Sequence, residues 1–147
     1  MTTRQASSRS DATSGAKPGS SILVIAVRPD DIDHIGHVNN AVYLRWTQDA
    51  VVHHWERIAD PEAVARYLWV ALKHEITYRR PAFLGDAILA HTHLQTAGGA
   101  KARFQTMIQR GQEVLAQVDS LWCCIDRDSR RAVRLPRLTL ARFTALA

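Results

Sequence analysis

Four β-rich runs succeed one another from Tyr67 to Asp126 with only short connections between them, and this succession limits the fold more than any other feature. Tyr67 to Tyr78 (YLWVALKHEITY) reads as a strand, broken by the loop Arg79-Arg80-Pro81-Ala82-Phe83-Leu84-Gly85-Asp86. Ala87 to Thr96 is the next strand and Gly98-Gly99 a turn; Ala102 to Arg110 follows, and Gly111-Gln112 turns into Glu113 to Asp126, the longest. Strands joined by turns this short lie antiparallel, because parallel neighbours need a long crossover connection.

Ahead of them, Ser21 to Val27 is a β-rich apolar run closed by Pro29, a first strand. Asn39 or Asn40 then caps a helix running to about Ile58. Val42, Tyr43, Leu44, Trp46, Val51, Val52 and Trp55 put apolar bulk on nearly every face of it, which predicts a buried helix. The order is strand, long helix, four strands, and the economical α+β packing wraps one antiparallel sheet around one long central helix. Such a sheet leaves edges or an outer face for a partner, so a homodimer or homotetramer is expected. Leu135 to Ala147 reads as a short terminal helix. Met1 to about Ser20 is Ser/Thr/Gly/Ala-rich without periodicity and reads as a disordered tail, leaving 21–147 as a single domain.

No apolar run approaches the roughly 20 residues of a membrane span, and the first residues lack the apolar block of a secretory signal. Their Arg/Ser content faintly suggests a transit peptide, against which Asp11 and the Gly/Pro content argue. Cys123 and Cys124 are adjacent, so on a strand they point to opposite faces and cannot readily bridge; reduced thiols and a cytoplasmic protein follow, and no paired-cysteine zinc motif exists. The net charge of +5 concentrates in Arg127, Arg130, Arg131, Arg134, Arg137 and Arg142, against the single acid Asp128. That patch suits phosphates or a solvated face; without interleaved aromatics or a helix-turn-helix pattern it does not read as a nucleic-acid surface.

The densest chemistry lies in Asp31-Ile32-Asp33-His34-Ile35-Gly36-His37-Val38-Asn39-Asn40, which leads directly into the helix. Two carboxylates, two imidazoles, a glycine and two amides stand beside a helix entry whose N–H groups are free to bind. Val27 through Leu44, centred on this stretch, resembles the opening motif of hotdog-fold acyl thioesterases. It is similar both to the 4-hydroxybenzoyl-CoA thioesterase-like group, with Asp-x-Asp-x-x-Gly before a helix, and to the acyl-ACP thioesterases, which share His-Val-Asn-Asn. Ile76 through Asp86 resembles the strand, Arg-Pro and Gly-Asp pattern of the same proteins, and the likeness spans about Ser21 to Asp126.

The resemblance implies hydrolysis of an acyl-CoA or acyl-carrier-protein thioester, with Asp33 as the carboxylate. The acyl-ACP type carries Asp, Asn and His where this chain has Asp33, Ile35 and His37, so the amide of that constellation is missing. The chemistry agrees with the first assignment. A thiolate leaves readily, its conjugate acid having a pKa of about 8.5 by analogy with cysteine. What hydrolysis needs is a carboxylate to activate water or attack directly, and donors for the developing oxyanion; the backbone N–H groups at the Asn40 helix entry fit that need. No cofactor is implied beyond the coenzyme A of the substrate.

Each candidate also has a plainer role. Asp33 and Asp31 suit turn carboxylates bonding their own backbone, His37 either orients Asp33 or packs, Asn39 and Asn40 cap the helix, and Gly36 supplies a positive φ or a close substrate approach. Asp49, inside the helix, is a rival acid, although it can pair with Arg45 at i, i+4. His91 and His93 share a strand face but lack a third ligand, so no metal site is expected. Trp46, Trp55, Trp69 and Trp122 read as core and interface. For substrate, the turn bearing Lys101 and Arg103 lines up with a basic turn that contacts the nucleotide in the hydroxybenzoyl-type enzymes; Arg79 and Arg80 follow, and Gly36 and Tyr43 are also expected to bind substrate. A non-catalytic acyl-CoA-binding module and a dehydratase of the same fold are the other readings.

Overall fold

A five-stranded antiparallel sheet curls around one long helix in the computed structural model, which describes residues 19–145. The tail expected over Met1 to about Ser20 lies outside those residues except at its end, where Ser20 already belongs to the first strand. The elements are β1 (Ser20–Ala26), α1 (Val42–Ile58), α2 (Pro61–Arg66), β2 (Tyr67–Tyr78), β3 (Ala87–Gly98), β4 (Lys101–Arg110), β5 (Glu113–Asp126) and α3 (Arg137–Ala145). Their order across the sheet is β1-β3-β4-β5-β2, so β1 and β2 are its free edges. This is the α+β arrangement expected of a hotdog fold.

Strand periodicity sets the inner face. Ile88, Ala90, Thr92 and Leu94 of β3 and Ala102, Phe104, Thr106 and Ile108 of β4 are buried at every second position. The two buried threonines stand directly opposite each other and share a 3.1 Å hydrogen bond, so neither hydroxyl is orphaned inside the core.

Helix α1 answers with a single face. Tyr43, Trp46, Thr47, Ala50, Val51, His54, Trp55 and Ile58 recur at intervals of three and four, and all are buried. The expectation of burial all round is therefore corrected: Leu44 and Val52 are 38% and 42% exposed, beside Gln48, Asp49 and Glu56 on the outward side. One sheet covers only one side of a helix.

The core runs along α1 in two clusters. Val38, Tyr43, Trp46, Ile108 and Ala116 surround its first half; Val51, Trp55, Phe104, Trp122 and Phe143 surround its second. The expected terminal helix is α3, whose fully buried Phe143 packs edge-on against Trp55 at 5.2 Å and closes the far end. Helix α2 was not foreseen, although Asp60 caps it by accepting the Ala63 N–H at 2.8 Å and Pro61 opens it. Cys123 and Cys124 are both free thiols, and burial pushes the Cys124 thiol up to about 12. Among the described residues no helix is long and apolar enough to cross a membrane.

Candidate active site

The loop between β1 and α1 is anchored by its first acid. Asp31 is 2% exposed; its carboxylate accepts the Arg28 N–H at 2.9 Å and Arg45 Nη2 at 2.6 Å, while its carbonyl accepts the Asn39 N–H at 2.8 Å. Burial alone would raise its pKa, but Arg45 and the Arg28 N–H outweigh it and hold the carboxyl below the usual range. Asp31 is thus the turn acid anticipated, and it joins both ends of the loop to the helix. The expected pairing of Arg45 with Asp49 is corrected, because Arg45 reaches back to Asp31 instead.

Within that anchor the chain forms a miniature antiparallel ribbon. Ile32 pairs with Val38, the Asp33 N–H donates to the His37 carbonyl at 3.0 Å, and the Gly36 N–H closes the turn on the Asp33 carbonyl at 3.1 Å. Gly36 has φ +92°, with open space where a Cβ would stand, so of its two anticipated roles the structure carries the positive φ. Val38 is 1% exposed and Ile32 packs on the core, so the next pair, Asp33 and His37, is turned to the other face. Asp33 is half-buried and its Oδ1 accepts the Ile35 N–H at 2.9 Å. His37 stands edge-on to Phe83 at 6.3 Å.

The helix entry follows at once. Asn39 Oδ1 accepts the Ala41 N–H and its carbonyl accepts the Val42 N–H, both at 2.9 Å; the Asn40 carbonyl accepts the Tyr78 hydroxyl at 2.8 Å. The asparagines thus form the turn that feeds α1, which itself begins at Val42 with Ala41 at its cap, one or two residues later than expected. Among the described residues the Asn40 N–H has no acceptor.

His37, Val38, Asn40, Tyr43, Tyr78, Arg79, Arg80 and Pro81 line a groove of about 250 Å³. Tyr43 is its buried floor, and burial raises the pKa of its phenol. The Arg79 and Arg80 N–H groups share the Leu115 carbonyl at 2.8 and 3.1 Å, leaving both side chains exposed at the rim; Arg80 lies a loose 3.8 Å from Glu113. Behind them Arg110 reaches Asp86 at 2.6 Å, Glu113 at 2.7 Å and the Pro81 carbonyl at 3.2 Å, which explains the Gly-Asp end of the second motif as a pinned turn.

Lys101 and Arg103 are not brought to this groove. They start β4, while Arg110 ends it beside Pro81; nine residues of strand at ~3.3 Å each separate the two ends by about 30 Å. In an antiparallel meander consecutive turns fall at opposite ends of the sheet, so a role for this pair at the site requires a second subunit. Asp49 also stands elsewhere, without an ion pair among the described residues, in a groove of about 670 Å³ between the outward face of α1, β1, Trp69, Ala71 and Trp122. His91 and His93 face outward on β3 opposite Met107 and Gln105, and among the described residues no three His, Cys, Asp or Glu side chains are grouped to hold a metal. Sequence reasoning passed over Tyr78, although it immediately precedes Arg79-Arg80-Pro81. His54, which no motif singles out, is fully buried with Nδ1 2.8 Å from Ser21 Oγ.

Residues 27–143 match the family model described as the thioesterase-like superfamily. The long-chain acyl-CoA thioesterase FadM of Escherichia coli (strain K12) is 29% identical over 118 residues, covering 76% of this chain and 87% of that protein. Among solved structures, hypothetical protein TT1821 of Thermus thermophilus aligns with TM-score 0.79 at 25% identity, covering 86% of this chain and 99% of that one. A thioesterase complexed with coenzyme A and Zn, also from Thermus thermophilus, aligns with TM-score 0.72 at 26% identity over 85% and 92%.

Proposed function

The chain belongs to the thioesterase-like superfamily, and from that premise we propose that it hydrolyses the thioester of an acyl-CoA to a free acid and coenzyme A. The observation that carries the reading is the ribbon that pairs Asp33 with His37 on its outward face and leads His37 and Asn40, whose N–H is unpaired among the described residues, into the groove. Water attacks the carbonyl as Asp33 takes its proton, the oxyanion forms against the backbone donors at the entry to α1, and the C–S bond breaks to release thiolate, which recovers the proton. Attack by the Asp33 carboxylate itself, giving a mixed anhydride that water then opens, uses the same geometry. Solvent ¹⁸O appearing in the Asp33 side chain after single turnover marks the second route with water opening the anhydride at the aspartyl carbonyl. His37 orients the acid, and no cofactor enters beyond the substrate's own coenzyme A.

Substrate phosphates meet cations at the rim. Arg79 and Arg80 are exposed there, and removing both, Arg79→Ala with Arg80→Ala, raises KM for acyl-CoA about tenfold at unchanged kcat. A steady-state titration checks this, and the variant's KM no longer rises with ionic strength. An unchanged KM removes the pair from the site.

One observation favours a second reading, a module that binds acyl-CoA without turnover: the Asp33 carboxylate is engaged by the Ile35 N–H, as a turn acid would be. Purified full-length chain, a thiol-trapping dye and a panel of acyl-CoA and acyl-carrier-protein thioesters separate the two. Thiol release marks the hydrolase, saturable binding without release marks the module, and an enoyl absorbance from β-hydroxyacyl substrates marks a dehydratase.

The assembly proposed is a homodimer or homotetramer. Support comes from the free edge of β2 with Leu72 52% exposed, from the two buried ring nitrogens of His74 that lack partners, and from the open groove along α1. Sedimentation velocity at micromolar concentration tests it, and a single species of monomer mass rejects it. Two unbridged thiols support a cytoplasmic setting.

A further inference from the structure

We infer that Tyr78, together with Asn39, is a positioning residue that aims the Asn40 N–H at the thioester carbonyl. The inference rests on the hydrolase reading above and adds the residues that hold its donor in place. Three hydrogen bonds fix the two peptide planes on either side of Asn40. The plane before it is held by the Val42 N–H on the Asn39 carbonyl at 2.9 Å. The plane after it is held at both ends, by the Tyr78 hydroxyl on the Asn40 carbonyl at 2.8 Å and by the Ala41 N–H on Asn39 Oδ1 at 2.9 Å. The Asn40 N–H belongs to the first plane, and holding the second fixes φ and ψ at Asn40, so the N–H has one direction; it has no acceptor among the described residues, and Asn40 lines the groove. A preoriented, unpaired donor is what stabilises an oxyanion without reorganising during the reaction.

Stability alone explains the Tyr78 contact poorly. Tyr78 is 42% exposed and Asn40 is exposed too, so water would satisfy both groups if they separated. What the bond adds is geometry, because it links two positions 38 residues apart and holds a carbonyl outside any helix or strand. The ring is held independently, edge-on to Tyr43 at 5.2 Å, so a phenylalanine at position 78 keeps the packing and loses only the hydroxyl.

The experiment compares Tyr78→Phe, Asn39→Ala and Asn39→Asp in the full-length chain, using the acyl-CoA the wild type hydrolyses fastest. Removing an oxyanion donor outright costs about 10²–10³ in kcat, and loosening one costs less. Tyr78→Phe and Asn39→Ala should each lower kcat about tenfold with KM within twofold, and Asn39→Asp, which keeps an acceptor for the Ala41 N–H, should restore most of it. Melting temperatures should move by only a few degrees. An unchanged kcat in Tyr78→Phe, or an Asn39→Asp no better than Asn39→Ala, overturns the positioning role while leaving the hydrolase reading intact. If Tyr78→Phe fails to fold, the Asn39 pair decides by itself. A wild type that releases no thiol from any thioester defeats the hydrolase reading and the inference with it.

Discussion

Asp33→Asn lowers kcat for acyl-CoA hydrolysis by about 10²–10⁴-fold, the range for losing a positioned base, and leaves KM and melting temperature close to wild type. The substitution is nearly isosteric and keeps an oxygen for the Ile35 N–H, so the turn closed by Gly36 persists and only the negative charge is lost. Folding should register little, because Asp33 is half-buried and carries no ion pair among the described residues, whereas Asp31 two residues earlier is buried against Arg45. The acid on the helix provides the counter-experiment. Asp49 is exposed, has no ion pair among the described residues and lines the larger groove, whereas Asp33 lines neither groove and sits on the ribbon that leads into the smaller one. Steady-state kinetics on Asp33→Asn and Asp49→Asn therefore identify the carboxylate: activity surviving the first and lost in the second moves the chemistry to α1 and ends the role given to Asp33.

What local pattern encodes was readable in advance, and what depends on distant residues was not. Alternation and Gly turns placed β2 to β5 within about two residues, since both signals are carried by neighbours. The Asp-x-Asp stretch and the residues from Arg79 to Asp86 were legible as motifs, and the Val38 N–H on the Ala82 carbonyl is the bond that brings them together. The errors have one physical origin. Arg45 was assigned to Asp49 because a helix offers i, i+4 pairs, but a buried carboxylate reached through the β1–α1 loop is the stronger claim on a guanidinium. Lys101 and Arg103 were placed with the substrate residues through a resemblance in their turn, and the direction of the strands sets them about 30 Å of sheet from Arg110 and Pro81 in one subunit, which a linear motif does not encode. Leu44 and Val52 made α1 look buried on every side because apolar type does not say whether a surface faces this sheet or another molecule. Asp60-Pro61 was a readable helix start that the longer helix beside it overshadowed.

Between pH 7.5 and 4 the folded chain loses about 3 kcal/mol of stability to one residue, His54, and His54→Gln removes that dependence. The residue is fully buried on α1, with Nδ1 against Ser21 of β1, Phe104 of β4 at 5.9 Å and Phe143 of α3 at 6.1 Å; among the described residues its Nε2 has no partner. Protonation puts a charge and a second donor where no acceptor stands. Burial lowers its pKa from 6.5 to about 4, with Arg57, His53 and His93 adding positive potential. The sign follows from which state binds the proton. Between about pH 6.5 and 4 the unfolded chain takes it up and the folded chain does not, so stability is complete above 6.5 and falls as pH drops toward the folded value. His74 and His91, also held below the usual imidazole range by burial, titrate in the same direction, so the wild-type slope exceeds the share due to His54. Asp31 and Asp86, whose pKa values are lowered, give up their stabilisation only below about pH 3.9, under most of this window. Urea unfolding of wild type and His54→Gln at half-unit steps isolates the term as the difference between two curves. A difference that widens by about 3 kcal/mol toward neutral pH supports a neutral, desolvated imidazole at the centre of the fold, and curves that stay parallel mean that His54 finds an acceptor or water that keeps its charge tolerable.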